Sequence, residues 1–346
     1  MITDARNPNA DDQPLGHDAM LKPGADAGMG ARRPDHIPLL GWWHVLRRTA
    51  ISIGKENLGL IAAGCAYFLL LALVPTLTGL IAVYGLFTEP GTIDRHVAIA
   101  SDLIPAVVME TIRGQIERLI AATDQSLSLT LAGSLLVGLW SSSNGVRTLM
   151  RALNIAYGEI EERPLWRQML GAVQILVLLI AGFILLTIML AAIPAFLALV
   201  DFGAFETVFR LARWPVLFFA VLGFLSVLYR LAPSRRDARW SWITPGAMVA
   251  TVALVLLTIL FDYAAGRLIS FNEVYGSLGA TIALLLWAYL ATFIILIGAE
   301  INGQLERQTA RDSTTGPERS RGQRGALSAD ELREKRALRD MMRGEV

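Results

Sequence analysis

Metal-assisted or acid–base chemistry needs histidines and carboxylates gathered at fixed spacing, and this sequence does not gather them. Its four histidines are His17, His36, His44 and His96. None forms a His-x-x-x-His or Glu-x-x-His step, the spacing that puts two ligands on one helical face. Asp11 and Asp12 are adjacent, but in a stretch rich in Asp, Gly, Ala and Pro. The sequence has no phosphate-cradling Gly-Lys-Ser loop and no Gly-x-Ser-x-Gly elbow. Ser141, Ser142 and Ser143 form a run, but hydroxyls in apolar helices commonly pack against neighbours or bond to backbone. Cys65 is the only cysteine, which excludes an intramolecular disulfide and a thiolate metal cluster. The chain therefore reads as a non-enzyme, with no cofactor and no metal.

The polar groups that remain lie within or beside long apolar runs, where ionisable residues are costly and usually functional. Asp262, Glu300 and Arg230 stand near the ends of such runs, from which long side chains can also reach water. Asn144, Arg147, Asn154 and Tyr157 form a polar stripe, while Tyr67, Gln174 and Tyr289 are isolated in apolar surroundings. Two roles fit these residues: the lining of a hydrophilic cavity, or hydrogen bonding between helices. Tyr67, Asn144, Arg147, Asn154, Tyr157, Arg230, Tyr289 and Glu300 are the candidates for a substrate or cavity site. Of these, Asn144, Asn154, Tyr157 and Glu300 are expected to face the protein interior near the cytoplasmic side.

The elements that must position them are membrane helices. Hydrophobic residues make up 54% of the chain and charged residues 18%, with a mean hydropathy of +0.49; soluble domains carry about 25% charge. A hydrocarbon core about 30 Å thick needs roughly 20 helical residues. Six runs serve: Leu58–Phe87, Leu127–Val146, Gly171–Val200, Trp214–Leu231, Ile243–Ala265 and Leu278–Glu300. Basic residues orient the bundle. Counted over alternate segments, 25 of the 31 Lys and Arg fall on one side and 6 on the other, with Arg230 grouped with the loop that follows it. Both termini are therefore expected inside, which requires an even number of spans. The expectation is an all-α polytopic membrane bundle of six transmembrane helices.

Further features decorate this bundle. Residues 1–37 lack the apolar core of a cleavable signal peptide. Gly41-Trp42-Trp43-His44-Val45-Leu46-Arg47-Arg48 pairs rings with cations and reads as a short interfacial helix. Pro75 is expected to kink the first span. In the first external loop, Met109, Ile112, Ile116, Leu119 and Ile120 recur at helical spacing, which predicts an amphipathic helix. Residues 1–40 read as a disordered cytoplasmic tail, 41–306 as the six-span membrane domain and 307–346 as a polar cytoplasmic tail. Within the last, Ser328-Ala329-Asp330-Glu331 has the form of a capping box. Membrane lipid is the expected partner and nucleic acid is not; a homo-oligomer and the substrate are left open.

Several segments together resemble one family. Cys65 to Pro75, Cys-Ala-Tyr-Phe-Leu-Leu-Leu-Ala-Leu-Val-Pro, is similar to an Ala-Tyr…Ser-Leu-hydrophobic-Pro motif, with Ala72 where the family often has Ser. Leu153-Asn154, followed by Arg163-Pro164, resembles its Leu-Asn motif. Leu228-Tyr229-Arg230-Leu231-Ala232-Pro233 and Pro245-Gly246-Ala247 resemble the connection between its fourth and fifth spans. Tyr275-Gly276-Ser277-Leu278-Gly279-Ala280, Trp287, Tyr289 and Gly298-Ala299-Glu300-Ile301 complete the likeness. These are motifs of the YihY/virulence factor BrkB family. The resemblance implies a bacterial inner-membrane protein with six spans, linked in some members to virulence and in others to envelope lipid handling. The older family label, ribonuclease BN, is read as a misassignment. The leading functional expectation is transport or translocation of a lipid or envelope-related substrate. A structural or regulatory membrane protein is the alternative, and a membrane-bound ribonuclease ranks last.

Overall fold

The computed structural model describes residues 28–85, 127–178, 180–182, 205–267, 275–320 and 322–330. The helices are α1 (Leu39–Lys55), α2 (Leu58–Gly85), α3 (Leu127–Tyr157), α4 (Leu165–Gly182), α5 (Phe205–Leu231), α6 (Trp240–Arg267), α7 (Gly279–Glu306) and α8 (Leu327–Asp330). Short 3₁₀ turns at Pro34–His36 and Gly276–Leu278 precede α1 and α7. The described residues hold no strand; a single antiparallel bridge joins Ala238 and Thr314.

α2, α6 and α7 are apolar around most of their circumference, the pattern of helices surrounded by lipid or by one another. Three helices are long and apolar enough to cross a bilayer: α4, Trp240–Ala264 of α6, and α7. A fourth arises if α1 and α2, which meet at a 65° bend, count as one broken span. The expected six spans are not reached among the described residues: Pro215–Leu231 of α5 is a shorter apolar helix, and α3 is not among those long and apolar enough. The amphipathic helix expected at 109–120 lies outside the described residues. α2 itself continues as helix through Pro75.

The α1–α2 bend has a local cause. Asn57 adopts φ +51, a left-handed conformation that Asn tolerates better than most residues. Glu56 N–H still bonds back to Ser52 O and Asn57 N–H to Gly54 O, closing α1, while Ile61 N–H to Asn57 O begins α2. α1 is amphipathic, burying Gly41, Val45 and Thr49. Val45 packs with Trp242, Ile301 and Leu305. Leu39, Leu40, Trp43 and Leu46 stay exposed on the same helix.

α7 lies in the middle of the described bundle, in contact with α1, α2, α3 and α6; α2 packs on α3 and α5 on α6. Its approach to α6 is close because both helices present glycine. A Cβ on Gly298 would sit 2.5 Å from Tyr229 Oη, 2.7 Å from Gly246 O and 2.9 Å from Ala250 Cβ. A Cβ on Gly246 would collide with Gly298 O and Asn302. Small residues let backbones meet where no hydrophobic force drives helices together. The core continues through Leu58, Cys65, Met150, Leu153, Tyr157, Leu225 and Leu296.

Candidate functional site

The polar residues of the sequence motifs converge where α3 ends. Gly158 takes φ +68 and closes the helix, with Gly158 N–H donating to Ile155 O at 2.9 Å and Glu159 N–H to Asn154 O at 2.8 Å. The buried Asn154 then joins the α3–α4 and α5–α6 connections. Its amide donates to Glu161 Oε2 at 2.8 Å, and its carbonyl accepts from Ser234 N–H at 2.7 Å. Glu161 is also gripped by Arg163 Nε and Nη2, both at 2.8 Å, and Arg163 Nη2 donates to Ala232 O. Burial works against the Glu161 charge, but the side-chain and backbone hydrogen bonds from Arg163 overcome it, holding the carboxyl at about 2. Asn154, Arg163-Pro164 and Ala232-Pro233 are thus motifs because they form one knot.

Beside this knot lies an ion pair that charge counting does not reveal. Arg235 Nη1 donates to both carboxylate oxygens of Glu306 at 2.9 Å and to Ser328 Oγ at 2.7 Å. Neither charged side chain has any solvent exposure. The guanidinium stacks 4.2 Å from the centre of the Tyr157 ring. Burial opposes the Arg235 charge, yet Glu306, with Tyr157 and Glu159 nearby, holds it above its ordinary value. Glu159 accepts from Leu327 N–H, Ser328 N–H and Ser328 Oγ. Burial pushes its carboxyl up, against the pull of Arg235 and these bonds.

This pair holds down the chain beyond α7. Composition predicts a polar tail there; in the described part, 307–309, 312–314, 324, 326 and 328–329 are buried, and 316–320 and 322–323 are exposed. Thr309 Oγ1 donates to Ala31 O, Arg239 N–H to Ser313 O, Thr315 N–H to Asp237 O, and Arg236 N–H to Gly325 O. Asp312 accepts from Thr314 and Arg319 backbone N–H. Ser328 does not act as the predicted cap: α8 begins one residue earlier, and its hydroxyl is engaged by Arg235, Glu159 and Glu306. The polar composition remains compatible with order because the partners come from the α3–α4 and α5–α6 connections.

The other candidates scatter. Asn302 on α7 bridges its neighbours, accepting from Gly246 N–H at 2.7 Å and donating to Tyr157 Oη at 3.2 Å. The Tyr229 hydroxyl donates to Ile295 O. Pro245 lies inside α6, just before Gly246. Glu300 is buried on α7 and accepts from Gln304 Nε2 at 2.6 Å, while Gln304 Oε1 accepts from Arg48 Nε of α1. Arg230, mostly buried, pairs with Asp237 at 3.5 Å and covers the Trp240 ring. Tyr67 is 54% exposed against Phe68, and Tyr289 stacks on Phe293. Asn144 and Arg147 are half-buried and bonded to each other. Tyr275 is exposed; Gly276, at φ +55, opens the turn that leads into the buried Gly279. A groove of about 370 Å³ runs between α4 and the end of α5, lined by none of the eight substrate or cavity candidates. Among the described residues, no three His, Cys, Asp or Glu side chains gather in a way that could hold a metal.

The Virulence factor BrkB family model matches residues 51–323. The chain is a member of the BrkB family. The ribonuclease-like protein YfkH of Bacillus subtilis is 29% identical over 71% of this chain and 90% of its own length. A UPF0761 membrane protein of Vibrio vulnificus is 27% identical, covering 75% of this chain and 82% of its own length. One from Rhodospirillum centenum is 26% identical over 88% of this chain and 65% of its own length. No solved structure matches. In this BrkB-family member the match runs past α7 to residue 323, so it takes in most of the packed segment that follows.

Proposed function

We propose that this BrkB-family membrane protein lies in the bacterial inner membrane, with both termini cytoplasmic. It moves a lipid or envelope-related substrate across that membrane without covalent chemistry. The observation that carries the reading is Arg147. It stands ten residues before Tyr157, about 15 Å along α3 at 1.5 Å per residue, directly after the apolar run Leu127–Val146, and is half-buried. Its Nε is buried without a hydrogen-bond acceptor, and among the described residues it forms no ion pair; Asn144 is its hydrogen-bond partner. A half-buried cation at the end of an apolar run, with no counter-charge among the described residues, suits a passing anion, and the phosphate of a lipid has the complementary sign.

The test uses the full chain in liposomes containing a fluorescently labelled phospholipid, with a membrane-impermeant quencher outside. Translocation exposes label from both leaflets. The expected result is exchange that falls at least tenfold in Arg147→Gln and is largely retained in Arg147→Lys. Equal exchange in protein-free liposomes would refute the reading. The alternative, a structural membrane protein, is favoured by the closed knot around Asn154, whose polar groups are occupied by each other. Under that reading the protein produces no exchange, while Asn154→Ala lowers its stability. A reporter active only in the periplasm, fused after Val346, tests the orientation: strong activity would overturn it. The ribonuclease reading rests on the name of YfkH alone; purified chain is expected to leave RNA intact.

A further inference from the structure

The groove between α4 and α5 is not used by any reading above, and its residues sort by chemistry along one line. Arg163, Arg167, Leu170, Gly171, Gln174 and Ile175 line it. Their spacing of three and four residues puts them on a single face, with Arg163 just ahead of α4 and the rest descending it. From the loops inward this face runs from guanidiniums to Leu170 and Gly171 and then to Gln174 and Ile175, while Leu231 of α5 lines the groove near its rim, next to Ala232, whose carbonyl accepts from Arg163. Trp166 stands exposed at the rim, as aromatic residues do at the headgroup level.

The charges at the rim are not equivalent. Arg163 is committed to Glu161 and to Ala232 O, so it shapes the rim and adds little net charge. Arg167 is exposed, and its guanidinium lies 5.0 Å from the Trp166 ring centre. Among the described residues no carboxylate pairs with it. The first turn of α4 adds the positive end of a helix at the same place. About two turns further along the same face, the exposed Gln174 makes no described hydrogen bond. Outside the groove, Leu165, Met169, Val177 and Leu178 are exposed on α4, a surface that meets lipid rather than water.

We propose that this groove is a binding site for an anionic glycerophospholipid of the leaflet that also holds α1. Arg167 takes the phosphate, and one acyl chain lies over Leu170 and Ile175. The order of cation at the rim and apolar side chains beyond it matches headgroup and acyl chain along such a lipid. A water-soluble anion would gain nothing from the lower half. The site does not depend on translocation: a chain that moves nothing would still bind lipid here.

The full chain, delipidated in detergent, is titrated with dioleoylphosphatidylglycerol, dioleoylphosphatidylcholine or inorganic phosphate, with bound lipid counted by native mass spectrometry. One basic residue facing an anionic headgroup gives about a fivefold preference. Phosphatidylglycerol is therefore expected to bind about fivefold more tightly than phosphatidylcholine. Arg167→Gln should abolish that preference, and Arg167→Lys should keep most of it. Unchanged thermal unfolding of both variants in detergent shows that they fold. An unaltered preference in a folded Arg167→Gln overturns the proposal. So does phosphate competing as well as the lipid, or a groove variant, Leu170→Trp, that leaves lipid binding intact but breaks a dimer. Loss of exchange in the liposome assay with the lipid preference intact would sink the translocation reading and leave this one standing.

Discussion

Replacing Glu306 by Gln leaves Arg235 as a guanidinium sealed from water without its main counter-charge. Both side chains are wholly buried, and Arg235 Nη1 reaches both Glu306 oxygens at 2.9 Å. Removing one partner of a buried pair costs about 3–5 kcal/mol. Glu159 also acts on Arg235, so the lower end, about 3 kcal/mol, applies. The loss falls on the docking of the segment after α7, because Ser328 shares the same cluster. At about 1.4 kcal/mol per decade, the undocked population rises roughly 100-fold. Limited trypsin digestion reads this at Arg324, which is buried in the docked segment; cleavage there tracks the open population when opening and closing are fast. Arg235→Met combined with Glu306→Gln removes both charges, and should restore much of the protection. A single variant cleaved within about twofold of the unaltered protein would refute the argument. So would a double variant no better protected than the single one.

Gly298→Ala drives a methyl group into Tyr229, Gly246 and Ala250, an overpacking cost of about 1–3 kcal/mol. Thermal unfolding in detergent should show this loss, whereas Gly223→Ala, with open space around its Cβ, should not. The Glu161 carboxyl is lowered from 4.5 to about 2 on folding. Its stabilisation is therefore complete above 4.5 and drains away as pH falls toward 2. The unfolding midpoint should drop through that window, and Glu161→Gln should remove this part of the drop. Glu159 has the opposite sign, since burial raises its carboxyl; its ionisation weakens the fold as pH rises through the folded value.

The sequence by itself determined the class of this protein. Long apolar runs without charge can only be helices in lipid, because backbone groups there must be satisfied internally. The motif residues were also legible, and the family match agrees with them. Their meaning was not. Asn154 and Pro233 stand far apart in the chain, yet meet through Ser234 N–H; the Gly246–Gly298 contact is equally non-local. Hydropathy and spacing report which residues avoid water, and pairings across the bundle leave no periodic trace. For the same reason Arg235 counted only as a loop charge, Glu306 drew no notice, and the segment beyond α7 read only as a polar tail. Only the tertiary structure decided that Glu159, Arg235, Glu306 and Ser328 close on one another. A buried charge is tolerable only where the fold supplies its counter-charge, and three of these four residues sit at helix ends or in connections whose meeting point the packing of α3, α5, α6 and α7 sets.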